Sequence, residues 1–119
     1  MNITIKEELN RLDGLPVECD GMTRLVVTLL ERHQQPFQAF YGAVTVGESR
    51  FEHHFWVVTE GCIIDYRARM WLGDDAPHGV FSLKEFGHCY SGEPVVVSPL
   101  SPALEAILKL PIPWFPEAS

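Results

Sequence analysis

Cys19, His54 and Asp65 are the residues whose types and spacing could carry nucleophilic chemistry. Cys19 lies in "VECDGMTRLVVTLLERH" (17–33), one step ahead of a run with helical periodicity. His54 lies in "HHFWVVT" (53–59) and Asp65 in "CIIDYRARM" (62–70), two strand-like segments separated by Glu60-Gly61, a two-residue hairpin signal. With that turn, Thr59 pairs with Cys62, Val58 with Ile63, Trp56 with Asp65 and His54 with Arg67. Side chains alternate between faces, so His54, Trp56, Val58, Ile63, Asp65 and Arg67 share one face. His54 and Asp65 become diagonal neighbours, close enough for long side chains to meet. His53 points the other way, and a loop one residue longer would reverse the parity.

A carboxylate beside an imidazole holds it in one tautomer and favours its charged form, as a general base serving a nucleophile requires. At a helix N-terminus, the dipole and a neighbouring imidazolium favour a thiolate at Cys19. The unpaired N–H groups of that first turn could donate to an oxyanion. The competing structural reading is that Cys19 is a buried small residue, as cysteines commonly are; Cys62 and Cys89 are read that way. Arg67 is expected to face His54, where it could pair with Asp65 instead.

Cysteine opening a helix ("CDGMTRLVVTLL"), H-x-W on a strand ("HFWVV") and Asp on the next ("IIDYRARMW") resemble the transglutaminase-like branch of the papain-like cysteine enzymes, over roughly residues 17 to 72. The resemblance implies a Cys19–His54–Asp65 triad with Trp56 lining the cleft and binding substrate. It implies a thiol-dependent amide or acyl hydrolase (a peptidase, amidase or deamidase), or a transamidase. No Gln precedes Cys19, which leaves Asn10 for a side-chain oxyanion donor.

These residues need elements to hold them. "TIKEELNRL" (4–12) reads as a short helix closed by Asp13-Gly14 and Pro16. Met22, Leu25, Val26, Leu29 and Leu30 mark a helix of about three turns, capped by Asp20 or Thr23 and ended by Pro36. "FQAFYGAVTV" (37–46) reads as a strand, followed by a loop, "GESRFE". Residues 73–79 read as a loop. Ser82 with Glu85 forms a capping box for a short helix, "PVVVS" (94–98) is a strand, and Ser101-Pro102 opens a last helix reaching Leu110. The order predicts a single α+β domain over 1–119: a papain-like core with the cysteine helix packed on a largely antiparallel sheet.

Composition bounds the function classes. At 119 residues, 46% hydrophobic and 21% charged, the chain suits one folded domain. A net charge of −7 with scattered basic residues argues against binding nucleic acid or anionic membranes. No stretch approaches the roughly 20 apolar residues of a membrane span, and the first residues lack a signal-peptide core, so a cytoplasmic location is expected. Three cysteines without a CxxC pair predict neither a disulfide framework nor a zinc ribbon, and no cofactor or metal is expected. The expected partner is a peptide or protein substrate. The tail "LPIPWFPEAS", with Trp114 and Phe115 between prolines, offers an apolar surface for a protein partner. The alternative function is a catalytically idle domain of the same fold acting as a protein-binding module.

Overall fold

The computed structural model describes residues 2–109. Helix α1 spans Ile3–Leu12, with the Asn2 side chain capping Thr4 N–H. Helix α2 spans Cys19–Arg32 and starts on the cysteine itself. It thus begins earlier than its apolar stripe suggested, with Glu18 at the N-cap rather than Asp20 or Thr23. The stripe Met22, Leu25, Val26, Leu29 and Leu30 is buried, and packs with Ile5, Leu9 and Leu12 of α1 against the sheet.

The sheet contains β1 (Gln38–Val46), β2 (Ser49–Thr59), β3 (Cys62–Asp65), β4 (Gly79–Ser82) and β5 (Tyr90–Val95). Their order is β4-β3-β2-β1-β5, and each neighbouring pair is antiparallel. The fold is α+β, as expected. Ala39, Val57 and Ile64 face the two long helices. A smaller cluster of Val44, Trp56 and Ile63, joined by Phe40, Val58 and Tyr90, is the second core.

Four local departures from the sequence expectation matter for the site. Residues 49–52 extend β2 instead of forming a loop, so β1 and β2 are joined by a tight turn at Gly47-Glu48. β3 ends at Asp65 rather than running to residue 70, and the chain turns into a short helix, α3 (Ala68–Leu72). β4 arises where a loop gives way to "GVFS", next to α4 (Leu83–Phe86), which Ser82 caps through Glu85 N–H. β5 begins four residues before the expected "PVVVS" strand and keeps only its Pro94 and Val95, and Val96 beyond it is 98% exposed. The last helix, α5 (Pro102–Lys109), starts as expected with Ser101 capping Leu104 N–H. Trp114 and Phe115 lie outside the described residues.

Candidate active site

The β2–β3 hairpin sets the site's parity. Thr59 pairs with Cys62, Val58 with Ile63 and Val57 with Ile64, across a turn in which Glu60 (φ +46°) and Gly61 (φ +74°) are both left-handed. This is the two-residue geometry that leaves His54 and Asp65 on one face. β2 carries one irregularity in its pairing with β1, on the far side of His54 from this turn. Gly42 pairs with His54 but Val44 with Phe51, so β2 bulges by one residue opposite Ala43.

His54 Nε2 lies 2.8 Å from Asp65 Oδ2, and both side chains are almost wholly buried. Pairing of β2 with β3 stops at Val57–Ile64, one level short of Asp65. Asp65 Oδ1 accepts the backbone N–H groups of Arg67 (3.0 Å) and Ala68 (3.1 Å), which turns the chain from β3 into α3. Asp65 Oδ2 also accepts the Tyr90 hydroxyl at 2.7 Å. Burial and the neighbouring Asp65 charge push the Tyr90 phenol's pKa up, so it remains a donor.

The other ring nitrogen, His54 Nδ1, is buried and makes no well-formed hydrogen bond. With Nε2 committed to Asp65, Nδ1 is the nitrogen left for Cys19, which is close enough to act on the ring. Burial works against a charged imidazole. The hydrogen bond to Asp65, the Cys19 sulfur and the charges of both outweigh it, and the pKa of His54 is pushed up to about 9. Cys19 itself is 9% exposed and lines an internal cavity of about 10 Å³ with Asp65 and Phe55. That is about the space of one water.

Arg67 is not where the extended-strand expectation put it. Because β3 ends early, Arg67 becomes the N-cap of α3 and its guanidinium turns away from the Asp65 carboxylate. Nε donates to Val17 O (2.7 Å), Nη2 to Asp13 O (2.9 Å) and Leu15 O (2.8 Å), and Nη1 to Asp13 Oδ1 and Tyr66 O (both 2.8 Å). All five guanidinium donors are therefore used on the segment leading into Cys19 and on Tyr66. His78 also binds Asp13, at 2.8 Å. Burial alone would raise the Asp13 pKa, but hydrogen bonds from His78 and Arg67 hold it below the usual carboxylate range.

Trp56 does not line a cleft. It is 3% exposed, stacked on Phe40 at 5.9 Å and met edge-on by Tyr90 at 4.9 Å, because its place on β2 points it into the second core. Asn10 is also engaged elsewhere, accepting the Tyr66 hydroxyl at 2.7 Å. Open space lies along the segment leading into Cys19 instead. A groove of about 600 Å³ runs along Leu15–Glu18, floored by Tyr66 and Arg67 and bordered by Arg69 and Met70.

Sequence reasoning missed Tyr90 and the role of Arg67. Tyr90 lies 25 residues from Asp65 and reaches it only because β5 pairs with β1, placing Tyr90 opposite Val44. No local pattern in "GHCYSG" signals that. For Arg67 a signal did exist: an acidic side chain two residues earlier can accept its backbone N–H and end a strand.

Among the described residues, no group of three or more His, Cys, Asp or Glu side chains is arranged to hold a metal ion, and no helix is long and apolar enough to cross a membrane. No protein-family model matches the chain, no curated protein matches it, and no solved structure matches it.

Proposed function

We propose that this protein is a thiol-dependent hydrolase of an amide or acyl bond, with Cys19 as nucleophile, His54 as acid–base and Asp65 as its orienting carboxylate. The observation that carries this reading is the buried His54–Asp65 bond. It fixes one ring nitrogen and leaves the other for a cysteine at the first residue of a helix. The order of elements also supports the papain-like, transglutaminase-like resemblance: cysteine at a helix start, histidine on a strand, aspartate on the next.

In the reaction, His54 Nδ1 takes the Cys19 thiol proton as the sulfur attacks the carbonyl carbon, and the bond to the leaving amine breaks. The imidazolium gives its proton to that amine, leaving a thioester on Cys19. His54 then takes a proton from water, whose oxygen attacks the thioester, and the carboxylic acid and free thiol are released. An amine in place of water would make the same site a transamidase. The groove along Leu15–Glu18, the segment leading into Cys19, offers an open surface for a peptide or protein substrate.

A second reading rests on the closure of the site. His54 is fully buried and the cavity at Cys19 holds about one water. On that reading, the same side chains form a buried polar cluster in a catalytically idle protein-binding module.

Iodoacetamide labelling across pH, mapped to individual cysteines, separates the two. The enzyme reading expects Cys19 to react faster than Cys62 and Cys89, well below about pH 8.5 where ordinary thiols lose reactivity. It also expects His54→Ala to abolish that preference. Labelling of Cys19 no faster than the other thiols, and indifferent to His54→Ala, would overturn it in favour of the binding module.

A further inference from the structure

We propose that Tyr90 is a fourth member of the Cys19–His54–Asp65 cluster, a positioning residue whose hydroxyl holds the Asp65 carboxylate aimed at the His54 ring. This rests on the acid–base reading of His54 above, but its test reads the ring and not the sulfur.

A carboxylate offers about four lone-pair sites. Asp65 has four donors: His54 Nε2 at 2.8 Å, the Tyr90 hydroxyl at 2.7 Å, and the N–H groups of Arg67 and Ala68 at 3.0 and 3.1 Å. Two come from the chain's own turn into α3, and one is the ring that Asp65 serves. Tyr90 is the one donor brought from a distant strand. It donates to Oδ2, the same oxygen that holds the imidazole.

Its ring is held by packing, edge-on to Trp56 at 4.9 Å and tilted against Phe81 at 6.1 Å, while β5 fixes its backbone opposite Val44. The hydroxyl thus arrives at Oδ2 already oriented. In a buried site, a carboxylate with an unfilled lone pair holds a proton more tightly and pulls the shared proton away from the imidazole. The Tyr90 hydroxyl opposes that pull, so the proton stays on the ring, whose other nitrogen is left for Cys19. Tyr90 acts through Asp65 and is accordingly a positioning residue.

The test is the titration of His54, followed by NMR of the imidazole resonances and assigned by their loss in His54→Ala. Tyr90→Phe keeps the packed ring and removes only the donor. The coupled pair should then hold its proton more tightly, moving the His54 titration up by about half a unit or more. The other four histidines of the five should stay in place. Site-specific fluorotyrosine at position 90 is a stronger donor of nearly the same shape, and should move the titration down. Leu9→Val, a core truncation in the cluster between the helices and the sheet that leaves Tyr90 untouched, should leave it unmoved.

An unchanged titration in Tyr90→Phe, or an equal shift in Leu9→Val, overturns the proposal. Should Tyr90→Phe fail to fold, a fluorotyrosine titration that does not move down overturns it as well. A titration that moves as expected while Cys19 labels like an ordinary thiol keeps Tyr90's role and removes only the enzyme reading.

Discussion

Arg67 Nε donates to the carbonyl of Val17 at 2.7 Å, tying the end of the strand that carries Asp65 to the approach of the helix that carries Cys19. The backbone N–H of the same residue binds Asp65 Oδ1. One residue therefore links Asp65, through its backbone, to the segment leading into Cys19, through its planar fork.

Lysine cannot reproduce five directed donors on a rigid plane. Arg67→Lys should destabilise the fold by about 3 kcal/mol, since it strips partners from a buried charge and from the carbonyls of Asp13, Leu15 and Val17. Urea unfolding measures that cost. Any preferential labelling of Cys19 should fall in parallel. In a His54→Ala background the same substitution should change labelling little, because the element it aligns is already gone.

The His54–Asp65 pair makes a signed prediction about pH and stability. The ring's pKa rises from 6.5 to about 9 on folding, so the folded state binds a proton more tightly than the unfolded chain. That contribution is fully present below about pH 6.5 and is lost as pH rises through 9. A shift of that size corresponds to roughly 3 kcal/mol. Unfolding free energies measured from pH 6 to 10 should fall across this window in the wild type. The fall should be much shallower in Asp65→Asn, which lacks the charge that sustains the imidazolium.

Gly42 marks how closely β5 approaches β1. A Cβ there would sit 2.3 Å from the Ser91 carbonyl oxygen and 2.5 Å from the Gly92 Cα, both of them backbone atoms. Gly42→Ala must therefore push the two strands apart, at about 2–3 kcal/mol by analogy with overpacked cores. Because Tyr90 reaches Asp65 only through that pairing, the substitution should also shift the His54 titration in the direction of Tyr90→Phe.

The parts of this arrangement that were readable in advance depended on local rules. The Glu60-Gly61 turn has few conformations open to it, and the period-2 alternation of β2 follows from its length, so the meeting of His54 and Asp65 could be read from residue types alone. The buried face of α2 was equally plain. The parts that were hidden depend on contacts between distant segments. "YSGEPV" contains a glycine and a proline and has little intrinsic strand preference, yet it pairs with β1. "VVV" has strong strand preference, but Val96 leaves the sheet and stands in solvent. Arg67 was misplaced because one carboxylate diverted the chain after four residues of strand. Trp56 fell in the core because the face it shares with His54 is covered by Phe40 and Tyr90.

The tightness of the Glu60-Gly61 turn makes it a gauge of length for everything built beyond it. At this turn, one inserted residue would carry the acid to the far side of the sheet from the imidazole, so the spacing between positions 59 and 62 tolerates no drift.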